Sequence, residues 1–199
     1  MMLSEETMIA EGALPVVQFR SHLRLGSGFG EDGLQDGLLT GFLRAAIAAI
    51  EARTGKILLA RDFSWRVFAW PDREGARLPV VPVQAVTGVV LVAAQAVETP
   101  VAADRYWLEQ DMQRPMLRPT GALLPAIPTG GHARIALYAG MAADWGGLPA
   151  DLGQAVLLLA AHYYEYREET ALAAGCMPFG VSSLIERYRV LRLSAGAAR

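Results

Sequence analysis

The feature that most constrains this chain is a change of period. Residues 14–55 carry apolar side chains at helical spacing. Residues 56–140 switch to short β-type runs broken by Pro and Gly, and helical spacing resumes after Pro149. A sheet region between two helical regions is the expectation. We therefore expect an α+β fold, mainly α: a helical bundle with an inserted antiparallel β-hairpin or small sheet. At 199 residues the chain suits a single domain, 1–199, with helices over 14–55, the β insertion over 56–140 and helices over 149–193.

The first helical region divides in two. Residues 14–25 read as a short helix. After GSGFGEDG, Asp32 and Gln35 stand in capping-box spacing before a longer helix, Leu34–Thr54, that Gly55 stops. Leu38, Leu39, Phe42, Ile47 and Ile50 form its apolar stripe. Gly33, Gly37, Gly41, Ala45 and Ala49 recur every four residues and make a smooth strip along one face. An internal glycine costs roughly 1 kcal/mol relative to alanine, so close approach of another backbone is expected there, from this chain or a neighbour.

The β runs are ILLARDFSWRVFAW, AVTGVVLVA, DRYWLEQD, RPMLRP and HARIALYAG. The loop PTGALLPAIPTGG (119–131) sets Leu123, Leu124 and Ile127 among turn residues, which marks either a docking surface or a loop folded on its own core. Past Pro149, the residues Leu152, Val156, Leu159, Tyr163 and Tyr166 share a helix face, and Gly175 ends the segment. A last helix is expected with Ser183 and Glu186 as its capping box and Leu184, Ile185, Tyr188 and Leu191 as its apolar side.

Composition removes several classes of function. A hydrophobic share of 53% with 19% charged residues fits a folded globule with interfaces to cover. The net charge of −2 argues against a chain held on nucleic acid by phosphate neutralisation. Basic residues do gather at the C-terminus, where Arg187, Arg189, Arg192 and Arg199 face only Glu186; they read as a solvated helix face or a contact surface. A single cysteine, Cys176, leaves no intramolecular disulfide, no CxxC pair and no cysteine-based zinc site, and suits a reducing compartment. MMLSEETMIAEGALP carries acids early and lacks the basic and apolar regions of a signal peptide, so none is expected. The apolar stretch near 155–161 falls well short of the ~20 residues of a membrane span, and no membrane partner is expected.

No catalytic constellation emerges. His162 and Glu165 lie at i and i+3, but HExxH is absent and the other histidines, His22 and His132, are distant in sequence. Glu165 and Glu169 share a face without a facing pair of acids. In GSGFGEDG, Glu31 takes the place of the last glycine of a dinucleotide loop; TGK at 54–56 lacks the upstream glycine of a phosphate loop, and GVSS at 180–183 lacks the second glycine of a nucleophile elbow. No catalytic residue, metal or cofactor is assigned. The tyrosines after His162 read as packing groups with polar tips, a type enriched at interfaces. Two other functions stay open: a small metal-dependent hydrolase using His162 and Glu165, and a DNA-binding regulator using the C-terminal arginines.

Four stretches in order carry a family likeness: SHLRLGSGFGEDGLQDGLLTGFLRAAIAAIEARTGK (21–56), LPVVPVQAVTGVVL (78–91), YAGMAADWGGLPADLGQAVLLLAAHYYEYRE (138–168) and MPFGVSSLIERYRVLRL (177–193). Together they resemble the head–tail connector, or adaptor, family of long-tailed bacteriophages, which also occurs in the phage-like particles called gene transfer agents. The Ala- and Arg-heavy composition, with Lys56 the single lysine, favours the gene transfer agent branch. The resemblance implies a structural protein, not an enzyme, in a homo-oligomeric ring, typically a dodecamer. That ring sits between the portal protein and the stopper or tail-completion protein and extends the channel through which double-stranded DNA passes without sequence-specific binding. It also implies a portal contact through Ser183, Arg187, Tyr188, Arg189, Leu191 and Arg192. We assign the ring interface to Gly33, Gly37, Gly41, Ala45, Tyr163 and Tyr166, and tail-side docking to Leu123, Leu124 and Ile127. Acids such as Asp32, Asp36 and Glu51 are candidates for the lumen. The expected location is the neck of a virion or phage-like particle, assembled in the bacterial cytoplasm.

Overall fold

A computed structural model describes residues 2–25, 35–167 and 177–189. Gly33, Asp32, Gly175, Cys176, Glu169, Leu191, Arg192 and Arg199 lie outside these residues. The chain divides into two compact units, one of Met1–Leu14 with Lys56–Leu148 and one of Pro15–Gly55 with Pro149–Arg199.

The first unit is built of β-structure. A five-stranded antiparallel sheet comprises β1 (Met2–Glu5), β2 (Arg61–Val67), β4 (Val83–Val92), β5 (Glu98–Pro100) and β8 (His132–Ala139), in the order β1-β2-β8-β4-β5. A second antiparallel sheet orders β3 (Ala76–Arg77), β7 (Met116–Pro119) and β6 (Tyr106–Glu109) as β3-β7-β6. Alternation along the strands decides which face is buried. Phe63, Trp65 and Val67 of β2 and Ala133, Ile135, Leu137 and Ala139 of β8 turn to one side, where they join Leu78, Leu117 and Leu124 in the core. Burying each large side chain is worth about 1.5–3 kcal/mol. Register shifts at Val83/Ala85 and Val86/Gly88 interrupt the pairing of β4 with β8.

Two buried cations are paired, as burial demands. Arg61 donates to Glu5 Oε1 at 2.8 Å and lies over the Phe63 ring at 5.2 Å. Lys56 donates to the Met112 carbonyl and, at 2.8 Å, to Gln113 Oε1; burial pulls its pKa below the ordinary lysine value.

Among the described residues the second unit holds four α-helices: α1 (Val16–His22), α2 (Asp36–Thr54), α3 (Ala150–Glu165) and α4 (Phe179–Ile185). α2 packs on α3, and α3 on α4. Leu39, Leu43, Ala46, Ile47 and Ile50 of α2, with Leu152, Val156 and Leu159 of α3, Phe19 of α1 and Val181 and Ile185 of α4, are buried. Gly55 ends α2 in the left-handed conformation, φ 69°, with its N–H on Glu51 O at 2.8 Å.

These elements correct the expected fold class. The protein is not a mainly helical bundle with a small insertion: among the described residues eight strands form two antiparallel sheets, and 36% helix stands beside 26% strand. Period-2 burial over β2 and β8 generates a core of its own, and two of the four α-helices are only seven residues long. Two smaller expectations also change. Leu38 is exposed on α2, its place in the buried stripe taken by Leu43 and Ala46. Ser183 lies inside α4, because Pro178 begins that helix and accepts from Ser182 N at 3.0 Å.

Gly140 closes the core at the end of β8. Its N–H reaches Pro82 O at 3.0 Å, its φ is 154°, and a Cβ there meets the Ala60 Cα at 2.3 Å. Backbone cannot yield as a flexible side chain does, so Gly140→Ala is expected to cost about 3 kcal/mol. Gly41→Ala, whose Cβ meets nothing within 4 Å, should instead gain up to about 1 kcal/mol from helix propensity. Urea denaturation of both variants checks the contrast.

Candidate interaction surfaces

The C-terminal residues meet the start of α3. Tyr188 Oη donates to Asp151 Oδ1 at 2.8 Å, and the Arg187 guanidinium stands 2.7 Å from Asp151 Oδ2, 2.5 Å from Tyr188 Oη and 4.8 Å from the Tyr188 ring centre. Asp151 occupies the first turn of α3, where a carboxylate faces the positive end of the helix dipole. Burial pushes the Tyr188 hydroxyl above its ordinary pKa, and its hydrogen bond to Arg187 raises that of the guanidinium. Arg189 grips both oxygens of Glu186 at 3.2 and 2.9 Å. Beside this network runs an open groove of about 530 Å³ lined by Asp151, Ser183, Leu184, Glu186, Arg187 and Arg189. Four assigned portal-contact residues, Ser183, Arg187, Tyr188 and Arg189, thus gather in one place. Each described arginine there is matched by a carboxylate, which leaves a surface suited to protein contact rather than to phosphates.

The small-residue strip of α2 faces outward. Gly37, Gly41 and Ala45 are exposed, Ala49 is half-buried, and a Cβ on Gly37 or Gly41 meets nothing within 4 Å. No described part of this chain supplies the close backbone that the strip invites. Asp36, a candidate lumen acid, is held by Arg20 at 2.5 Å.

The tyrosines near the end of α3 do different jobs. Tyr164 meets Phe42 edge-on, centroids 5.9 Å apart, and so fastens α3 to α2. Tyr163 is half-buried, with its hydroxyl pKa pushed up by burial. Tyr166 is exposed and leans on the His162 ring, with centroids 4.7 Å apart and planes tilted by 50°. His162 therefore sits among rings, and the described residues contain no cluster of three or more His, Cys, Asp or Glu able to hold a metal. The hydrolase alternative finds no site among the described residues.

In the 119–131 loop only part of the expected docking set is available. Leu123 is 45% exposed, but Leu124 is 2% exposed and its N–H donates to Arg73 O at 2.7 Å. Leu124 is removed from the docking set because the loop folds it into the core, and Ile127 packs on that core as well. What sequence reading missed is the recess beside them, about 320 Å³, lined by Phe68, Ala69, Trp70, Arg73, Ala126 and Ile127. Trp70 is fixed there by its indole N–H on Pro125 O at 2.8 Å. The one signal for it was the aromatic pair in FAW at the close of a β run.

No protein-family model matches the chain, and no curated protein matches it. Solved structures do. A chain in the neck of an empty gene transfer agent (GTA) particle, computed with C6 symmetry, is 52% identical, with both chains fully covered and a TM-score of 0.88. A chain in the virion of a native GTA particle is 51% identical over 98% of this chain and 99% of that one, TM-score 0.84. A chain in the neck of a native GTA particle, computed with C12 symmetry, is 48% identical over the whole of both chains, TM-score 0.84. The chain belongs to the head–tail adaptor family of gene transfer agent particles.

As a GTA adaptor it has a structural role in the particle neck, and the chains it matches are structural components. No described helix is long and apolar enough to cross a membrane. In an adaptor the Asp151–Tyr188–Arg187 network has mechanical value, since it fixes the residues after α4 to the α3 start. Tyr188→Phe removes the hydroxyl while leaving the Arg187–Asp151 pair, and should cost about 1 kcal/mol in urea denaturation.

Proposed function

We propose that this adaptor forms a twelve-membered ring between the portal protein and the stopper of a gene transfer agent, lengthening the channel that double-stranded DNA passes through without sequence-specific contact. The reading is carried by the 48% identity, across the whole chain, to a component of a neck computed with C12 symmetry. It includes no catalytic step. Function resides in mating surfaces, and a heterologous ring needs two complementary ones per subunit.

In this reading the α4 groove, with Ser183, Arg187, Tyr188 and Arg189 and the following Leu191 and Arg192, faces the portal. The strip of Gly33, Gly37, Gly41 and Ala45, with Tyr163 and Tyr166, meets a neighbouring subunit, and Leu123 and Ile127 lie toward the tail. The open space over Gly37 and Gly41 supports the lateral assignment. The compensated arginines of the groove support contact with protein rather than with DNA. Cryo-microscopy of particles carrying this chain tests the whole reading: twelve copies below the portal are expected, and another position or another copy number overturns it.

Two variants separate the surfaces. Gly41→Leu puts bulk into open space, so the isolated chain should melt at or above the wild-type temperature while its incorporation into necks falls at least about tenfold. Wild-type incorporation contradicts the strip's role. Ser183→Arg, on an exposed position, should leave the melting temperature unchanged and reduce co-purification with the portal protein.

A further inference from the structure

Arg73 lines the recess at the end of β2 and makes no ion pair there among the described residues. Phe68 is 55% exposed and leans on the His132 ring at 5.7 Å. On the sheet face that carries Phe68, Arg66 stands directly opposite Arg134, an arrangement that is unfavourable unless an anion offsets it. Glu98 takes Arg134 with two hydrogen bonds of 2.9 and 2.7 Å. Among the described residues Arg66 and Arg73 have no carboxylate partner. Arg73 thus lines the aromatic recess, and Arg66 lies close enough to His132, on which Phe68 leans, to act on its charge.

The same unit carries the complementary piece. Between β1 and the buried Leu14, the segment Glu6–Glu11 holds Met8 at 75% exposure, and Glu6 and Glu11 have no cation partner among the described residues. The segment is held at its base, since Glu6 N–H donates to Asp62 O and Thr7 Oγ1 accepts from Asp62 N–H, each at 2.9 Å. A tethered segment loses less entropy on docking than a free one. It cannot reach the recess of its own chain. It is fastened at Asp62, at the start of β2, whereas Phe68 follows the end of that strand, so about 20 Å separate them.

We propose that Glu6–Glu11 of one subunit docks in the Phe68–Trp70 recess of the next, with Met8 as the apolar anchor and the two glutamates toward Arg66 and Arg73. This inference rests on the ring reading and adds to it a second pair of unlike surfaces. Because the two pieces are unlike and lie at opposite ends of one strand, the contact is able to pass from copy to copy, as a closed ring requires. Thioether against aromatic rings is a favourable pairing, and the charges add orientation and discrimination.

The test uses assembled particles of the full chain carrying Met8→Cys and Ala126→Cys in a Cys176→Ser background. Mild oxidation should give a ladder of disulfide-linked adaptors beyond the dimer, with no ladder from either single variant. Absence of a ladder from particles that contain the ring overturns the proposal, as does cross-linking through position 126 to a different neck protein. A particle without an adaptor ring would instead overturn the ring reading beneath it. Independently, Arg66→Glu with Arg73→Glu should cut incorporation about tenfold at unchanged melting temperature, and Glu6→Arg with Glu11→Arg should restore it. Full incorporation of the first pair, or loss that the second pair deepens, counts against the contact.

Discussion

The antiparallel pairing of β2 with β8, from Arg61↔Ala139 to Val67↔Ala133, is the constraint on which the β-unit depends. Strand geometry sends successive side chains to opposite faces, so a slip of one residue would carry Trp65 and Ile135 out of the core and bring Arg66 and Arg134 into it. The chain fixes that register from several directions. β1 adds Glu5 to the buried Arg61 on one side, β4 covers the other side of β8, and Gly140 lets the end of β8 lie against the Ala60 backbone. Once the register is set, the outer face has no freedom left. The opposed arginines and the exposed Phe68 stand where they do because the core residues between them are buried.

The helical unit solves a different problem. Its helices are short or glycine-interrupted, and propensity alone does not hold such helices in water. Large side chains on one side of α2 and α3 provide the packing, while the other side of α2 is kept bare. Gly37 and Gly41 lower the stability of an isolated helix, and a Cβ on either meets nothing within 4 Å among the described residues.

Much of the fold was legible and the weighting was not. The C-terminal end of α2 with its stop at Gly55 and the β8 run HARIALYAG follow from apolar period and turn chemistry that act within a few residues. β1 was invisible because MLSE is short, exposed on all four residues and polar enough to read as a tail; its strand character comes only from pairing with β2, some 60 positions on. β5, three exposed residues ending in Pro100, fails for the same reason. Such non-local pairing is what turned an expected insertion into a second core. At the surfaces, the α4 residues were identifiable by a cluster of arginines, although their carboxylate partners were not, since Asp151 lies 37 positions from Tyr188. Leu124 was misread because a leucine in a Pro- and Gly-rich loop looks the same whether the loop lies out in solvent or folds inward.

In the proposed ring the chain borders a polyanion in transit, and electrostatics explains how it does so without holding it. Each phosphate contact with a free lysine or arginine releases counterions and strengthens retention. Six arginines are held by carboxylates within the chain: Arg20 by Asp36, Arg61 by Glu5, Arg118 by Glu109, Arg134 by Glu98, Arg187 by Asp151 and Arg189 by Glu186. Exposed pairs of this kind contribute little to stability, so their abundance is better understood through what they prevent. A guanidinium occupied by a carboxylate is a weak trap for moving DNA yet still able to hydrogen-bond a protein neighbour. Arg66 and Arg73 have no carboxylate partner among the described residues, and Arg73 lines the aromatic recess of the β-unit; in the proposed contact an acidic protein segment, fixed in place, satisfies them permanently where DNA in transit does not.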